Sequence, residues 1–289
     1  MPELPEVESI RLQLEKFLLG HKIISLEVKD RRIFQGDEKE IIGAKFIKAR
    51  RFGKVTVLDL DNNKSLMIHV KMTGQVIYRG PNLKKPLLSP KISGGLGGPH
   101  THVIFTLDND GKIYYNDFRK FGWFKIVDTK DVEKTDLVGK MGPEPFKNLT
   151  LEYFKNVLSK TRRPVKVVIM DQSKVAGVGN IYANDALYLS KINPARPANS
   201  LNENETKKLF DAIHEVLNEG MKHGGSSENT FVTPDGGEGG YQRHTLVYGK
   251  QGILCPVCKK EKIIKIMLGG RGTYYCPYCQ PETKESKLF

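Results

Sequence analysis

The residues best suited to chemistry lie at the two ends of the chain. Cys255-Pro-Val-Cys258 and Cys276-Pro-Tyr-Cys279 hold all four cysteines, with 17 residues between the pairs. Each Cys-x-x-Cys knuckle turns two thiolates toward one point, and tetrahedral Zn²⁺ takes four such soft ligands. The first residues, MPELPEVESI, are acidic and lack an apolar signal core, so bound metal is expected rather than disulfides. Four thiolates leave no open position. The expected cofactor is therefore one structural Zn²⁺ that folds a segment too small to fold by itself. The segment between the knuckles carries Lys262, Lys265, Arg271, Tyr274 and Tyr275. Such a basic hairpin suits a phosphate backbone or a groove, and a plain stability clip with solvated lysines is the alternative.

At the other end stands Pro2-Glu3-Leu4-Pro5-Glu6. Removal of Met1 would leave a prolyl secondary amine, and an ordinary α-amino pKa of about 7.7–8.0 keeps a useful fraction neutral. A neutral amine attacks an electrophilic sugar carbon to give an iminium. Glu3 and Glu6 lie within reach for proton transfer. Read by themselves, the two prolines serve as well to stiffen the approach to a helix, and Glu6 to favour that helix's first turn.

The charge balance points to a polyanion: 46 Lys and Arg against 33 Asp and Glu leave +13. No run of 18 apolar residues is present, so no membrane partner is expected. A location in the cytoplasm, at the nucleoid, follows. The chain is long for one compact core, and two or more domains are expected.

The elements that must position these residues read as follows. Apolar Val7, Ile10, Leu14, Phe17 and Leu18 predict a helix over 6–19, stopped by Gly20. Short β-rich runs follow at 22–28, 44–49, 54–60, 65–70, 74–79, 102–107, 112–117 and 123–127, with turn signals between them. They predict an antiparallel sandwich. The Pro-, Gly- and Lys-rich stretch 80–99 reads as a mobile loop. Helices are expected at 150–159, at 164–171 with Pro164 in the first position, at 181–190 and at 203–221. The Gly-rich 223–241 reads as a long functional loop, 243–281 as short strands framing the cysteines, and the tail 282–289 as frayed.

These motifs together resemble one family. Met-Pro-Glu-Leu-Pro-Glu-Val-Glu at the start, Gly177-Val-Gly-Asn-Ile-Tyr-Ala183 and the four-cysteine end are similar to the formamidopyrimidine-DNA glycosylase / endonuclease VIII family. Lys54 within Arg-Phe-Gly-Lys, Asp117-Phe-Arg-Lys-Phe-Gly122, Gly142-Pro-Glu-Pro145 and Val247-Tyr-Gly-Lys250 extend the match in family order. Leu4 resembles the formamidopyrimidine branch. The resemblance implies an α+β multidomain fold. It comprises an N-terminal β-sandwich with the first helix (1–133), a helix–two-turn–helix domain (146–235) and a zinc hairpin (243–281), with double-stranded damaged DNA between the halves.

The resemblance also implies roles. Pro2 becomes the Schiff-base nucleophile, Glu3 the acid/base that assists sugar-ring opening, Lys54 a catalytic, phosphate-contacting lysine, and Arg271 the hairpin-tip residue beside the lesion. An enzyme acting on a base must extrude it, and Met72, Arg119 and Phe121 would fill the gap. Without the resemblance, Met72 reads as core. Asn180 reads alone as an N-cap and, with the resemblance, as a phosphate ligand. His100 would contact DNA; it alternates with His102 at a strand start, and both are placed on one face. From the cluster Lys160, Arg162 and Arg163, one residue is expected on the backbone, with Arg162 the candidate. The segment 224–241 would cover the extruded base, and there Glu228 and Asn229 depart from the family's more apolar-then-basic pair. Thr73 leaves the polarity of the pocket open.

The expected activity is a monomeric bifunctional glycosylase and AP lyase acting on 8-oxoguanine and formamidopyrimidines by β,δ-elimination. The rivals are a sister enzyme preferring oxidised pyrimidines or abasic sites, and a non-catalytic binder of damaged DNA.

Overall fold

The structure, a computed structural model, describes residues 1–282. The expected frayed tail lies, from residue 283 on, outside the described residues. The chain forms two compact units: Met1–Gly139 with Gly220–Gln242, and Lys140–Glu219 with the segment from Arg243 onward. Among the described residues no helix is long and apolar enough to cross a membrane.

In the first unit α1 (Leu4–Leu18) precedes nine strands. These are β1 (Ile23–Val28), β2 (Phe34–Gln35), β3 (Phe46–Phe52), β4 (Val55–Leu60), β5 (Lys64–His69), β6 (Gln75–Arg79), β7 (Thr101–Leu107), β8 (Lys112–Asn116) and β9 (Trp123–Asp128). A short α2 (Asp136–Gly139) closes this run. One sheet has the order β1-β7-β8-β6 and the other β2-β9-β5-β4-β3. Apart from the parallel pair β2–β9, all pairings are antiparallel. The eight expected strands are present; the two-residue β2 is too short to carry a periodic signal.

Apolar side chains of both sheets and of α1 share one core, including Ile10, Leu14, Phe17, Phe46, Leu58, Ile68, Phe105 and Phe124. The i, i+4 and i, i+3 spacing along α1 places Ile10, Leu14 and Phe17 on one side, and Phe17 stacks on Tyr78 with ring centres 4.8 Å apart. Glu8 ties α1 to β3 through Arg51, at 2.7 Å. Burial pushes the Glu8 carboxyl up, but hydrogen bonds from Arg11 and Arg51 outweigh it and hold it below its ordinary value.

The second unit contains α3 (Leu151–Ser159), α4 (Val165–Ile169), α5 (Asn180–Leu189), most of α6 (Glu203–Lys222), and the hairpin β10 (Ile264–Leu268) with β11 (Arg271–Tyr275). Leu268 pairs with Arg271 across Gly269-Gly270, whose φ angles of 55° and 71° form the positive-φ turn that matches strand twist. Pro164 caps α4 from outside rather than opening it.

The hairpin clusters with the helical unit, and residues 220–242 cluster with the sandwich. They do so because their backbone finds partners there: Tyr78 N–H donates to the Pro234 carbonyl and Asp235 N–H to the Gln13 side chain. The stretch 80–99 has no helix or strand, yet it is pinned. Leu87 and Ser89 N–H groups reach Asp235 and Gly236 carbonyls, and Asn116 donates to the carbonyls of Ser93 and Gly95.

Trp123 is the one tryptophan of the chain and lies in the first unit, so its fluorescence reports that unit's unfolding. Leu14 is fully buried in the shared core. Leu14→Ala is expected to cost about 3 kcal/mol in urea unfolding followed at Trp123; a loss under about 1 kcal/mol would contradict the core assignment. His69 offers a pH test. Burial, with Lys71 and Lys54 nearby, pushes its pKa down to about 3 from 6.5. Below pH 6.5 the unfolded chain binds a proton that the folded chain refuses, so stability falls as pH drops from there toward 3. Between pH 7.5 and 5.0 the wild type is expected to lose about 2 kcal/mol more than His69→Asn.

Candidate active site and nucleic-acid interface

The start of the chain is fixed by its own helix. Glu3 is the N-cap of α1, and a reciprocal capping box joins it to Glu6: the Glu3 carboxylate accepts from Glu6 N–H, and the Glu6 carboxylate accepts from Glu3 N–H at 2.7 Å. Pro2, immediately before, is buried, and Glu3 and Glu6 are 3% and 1% exposed. The second Glu6 oxygen accepts from Ser226 N–H at 2.6 Å. Glu6 is therefore a cap, and more than a cap: it binds a loop 220 residues away in sequence. Lys54 sits in the two-residue turn Gly53-Lys54 between the paired ends Phe52 and Val55, and is buried. The field of its ammonium reaches His69, a buried polar residue that the sequence reading missed. A histidine ending a strand two residues before Lys71 was its only signal.

The three gap-filling candidates are mounted on two turns that share one buried carboxylate. Asp117 accepts from Thr73 Oγ, from Arg119 N–H at 3.2 Å, from Gly122 N–H at 2.8 Å and from Tyr115 OH at 3.3 Å. Thr73 thus spends its hydroxyl on the scaffold. Met72 and Phe121 each follow a residue in left-handed conformation, Lys71 with φ 47° and Lys120 with φ 56°. Such geometry costs energy and persists where surrounding bonds impose it. Gly74 and Gly122 are required by close packing: a Cβ on either would collide with the Tyr115 hydroxyl. Phe121 stands 52% exposed, and the Arg119 guanidinium lies 4.6 Å from the centre of its ring. An exposed phenylalanine and a half-buried Met72 are available to a partner, unlike core residues.

His100 and His102 do not act as a pair. His102 is buried, with Nε2 2.9 Å from the Asp117 carbonyl oxygen, whereas His100 precedes β7 and lies half-buried beside Phe118. The register shift between Thr101 and Val103 breaks the simple alternation.

The Gly-rich loop is ordered by the sandwich. Gln75 donates to the carbonyls of Lys91 and Thr230, and Lys91 reaches the Ser227 carbonyl and Glu238. Among the described residues the buried Ser226 hydroxyl has no hydrogen-bond partner, while Glu228 and Asn229 are exposed.

In the second unit α5 begins at Asn180, with Gly179 as N-cap. Asn180 is therefore the first helical residue and not the cap, and its amide donates to the Gly272 carbonyl at 3.1 Å. The fully buried Lys166 donates to the same carbonyl and to Thr273 Oγ at 2.8 Å. These bonds fix the strand that starts at exposed Arg271. Arg271, Arg163 and Lys166 line a cavity of about 230 Å³. Arg163 is engaged by Asp171 at 3.3 Å, and Lys160 lines a second cavity with Lys174. Exposed Arg162 has no side-chain ion pair or hydrogen bond among the described residues.

The four cysteine sulfurs converge, all within 4.8 Å of one another. Cys255 and Cys279 sulfurs are 3.8 Å apart, and those of Cys258 and Cys276 are 3.7 Å apart. Tetrahedral zinc with bonds of about 2.3 Å places its sulfurs about 3.8 Å apart. The cluster therefore fits a tetrahedral metal ion.

Comparison with known proteins agrees with this geometry. The family model for the formamidopyrimidine-DNA glycosylase N-terminal domain matches residues 1–124, and that for the formamidopyrimidine-DNA glycosylase H2TH domain matches 141–232. The chain is 39% identical over 287 residues to the formamidopyrimidine-DNA glycosylase of Desulforamulus reducens, covering 97% of this chain and 99% of that one. It is 36% identical to that of Streptococcus thermophilus, with the same coverage. Among solved structures it is similar to the Lactococcus lactis enzyme in complex with DNA containing N7-benzyl-Fapy-dG, with TM-score 0.85, 35% identity, and coverage of 97% and 100%. It is also similar to the protein from Thermus thermophilus, with TM-score 0.84, 34% identity, and coverage of 98% and 100%. From the amino-terminal capping box to the four-cysteine hairpin, the chain belongs to the formamidopyrimidine-DNA glycosylase family.

Proposed function

We propose that this chain is a monomeric, nucleoid-associated bifunctional DNA glycosylase and AP lyase that excises oxidised purines from double-stranded DNA. The observation that carries the reading is the setting of Pro2. It is buried directly ahead of a capping box that orients the Glu3 carboxylate, and Glu6 of that box holds the loop proposed to cover the extruded base. The Ser226 hydroxyl in that loop, without a partner among the described residues, supports a ligand there, because a buried hydroxyl left unbonded is costly.

With Met1 removed, the Pro2 nitrogen attacks C1′ of the damaged nucleotide. The N–C1′ bond forms, the glycosidic bond breaks, and the base leaves with a proton. Glu3 protonates the sugar-ring oxygen as the ring opens, leaving an iminium. The iminium acidifies C2′–H. Loss of that proton expels the 3′ phosphate, and a second elimination expels the 5′ phosphate. Hydrolysis then frees Pro2. Lys54 and Arg271 hold phosphates beside the lesion, with Asn180, Arg162 and His100 on the backbone. Met72, Arg119 and Phe121 occupy the vacated stack. Cys255, Cys258, Cys276 and Cys279 hold one structural Zn²⁺, which supplies folding energy to the hairpin and takes no part in the reaction.

Borohydride present during reaction with an 8-oxoguanine duplex is expected to trap an intact-mass adduct at Pro2. Failure to trap, or an undiminished adduct when Pro2→Gly is combined with a blocked amine, would refute the nucleophile. Glu3→Gln is expected to slow single-turnover base release at least about 100-fold while leaving affinity for an abasic-analogue duplex within about threefold. A panel of 8-oxoguanine, formamidopyrimidine and thymine glycol duplexes tests the lesion class, and fastest release of thymine glycol would favour the pyrimidine-preferring sister activity. Purified protein is expected to carry one zinc per chain, and stripping it is expected to unfold the hairpin and weaken duplex binding.

A further inference from the structure

Helix α5 presents three residues spaced by four, and each reaches the cysteine hairpin. Asn180 donates to the Gly272 carbonyl, Asn184 accepts from Tyr274 N–H at 2.8 Å, and the Tyr188 hydroxyl lies 3.1 Å from Cys255 Sγ. Asp185, beside them, accepts from the N–H groups of Leu246, Val247 and Tyr248. The first two contacts and those of Asp185 are to backbone. The third ends on a sulfur of the metal cluster.

The electrostatics give that contact a task. Four thiolates around a divalent ion leave two surplus negative charges, and Cys255 and Cys276 are fully buried. Buried charge needs donors. Cys276 Sγ receives the Cys279 N–H at 3.4 Å. Cys255 Sγ is reached by the backbone N–H groups of Cys258 and Val257 and by the hydroxyl of Tyr188, itself 6% exposed and packed with Val247, Ile263 and the two buried cysteines. A phenol beside a thiolate is the donor, and its aromatic body closes the apolar side of the cluster.

We propose that Tyr188 is a positioning residue of the metal site: its hydroxyl donates to the Cys255 thiolate, stabilises the bound ion and fastens to it the helix that begins at Asn180. This rests on the reading of the cluster as a zinc site. The bond draws electron density from the thiolate, so its loss raises the sulfur donor level. Outer-sphere partners of this kind change metal affinity by about 10- to 100-fold.

The test uses the full chain loaded with Co²⁺ or Zn²⁺. Wild type is expected to show tetrahedral Co²⁺–thiolate absorption. In Tyr188→Phe the sulfur-to-cobalt band is expected to move to lower energy, and zinc is expected to pass to a chromophoric chelator at about tenfold higher equilibrium yield. Val247→Ala, which loosens the same packing without touching the hydroxyl, is expected to leave the band unmoved. Wild type lacking a tetrahedral thiolate spectrum overturns the metal reading itself. A normal wild-type spectrum, with Tyr188→Phe matching wild type in band and competition, overturns the role of Tyr188 alone. A band displaced equally by Val247→Ala overturns it too. Should Tyr188→Phe fail to fold, ¹¹³Cd-loaded wild type decides: scalar coupling between ¹¹³Cd and the Tyr188 hydroxyl proton supports the bond, and its absence beside a four-sulfur cadmium resonance refutes it.

Discussion

A carboxylate deprived of water must have its oxygens satisfied, and Glu6 meets that demand with two backbone N–H groups from opposite ends of the first unit's chain. One belongs to Glu3 and the other to Ser226. The Glu3 bond completes the cap of α1 and so fixes where Pro2 and the Glu3 carboxylate lie. The Ser226 bond fixes the loop whose buried hydroxyl has no partner among the described residues. Pro2, the Glu3 carboxylate and the loop are thereby held by one side chain. Gly225 shows how tight the joint is, since a Cβ there would lie 2.7 Å from the Glu6 side chain.

The same economy recurs at Asp117. Its carboxylate and carbonyl gather Thr73, Tyr115, Arg119, Gly122 and His102, so the turns bearing Met72 and Phe121 are set by a single buried group. The polar scaffold lets apolar Phe121 stand in the open, where water alone would not favour it. The exposed residue is pre-placed, and the left-handed Lys71 and Lys120 are held in costly conformations by those bonds. In the second unit α5 plays the corresponding part: one face binds the hairpin through Asn180, Asn184 and Tyr188.

Local pattern determined much of this protein. The 3.6-residue spacing of Ile10, Leu14 and Phe17 announced α1, β-rich runs with turn signals between them announced eight strands, and Cys-x-x-Cys twice announced the metal cluster, because each signal lies within one element or one short segment. Motif likeness added the family and the candidate residues. Tertiary structure decided what depends on distant partners. The loop 220–242 joined the sandwich because Glu6, Gln75 and Lys91 offer its backbone hydrogen bonds that no nearby residue supplies. Asn180 became a tether rather than a cap because a carbonyl 92 residues later accepts its amide. His102 separated from His100 because the register of β7 shifts between Thr101 and Val103 and the His102 ring meets the Asp117 carbonyl. Sequence spacing records periodicity along the chain. It does not record which buried polar group must be paired with which, since that pairing is settled only when folding excludes water and leaves each group the neighbours it has.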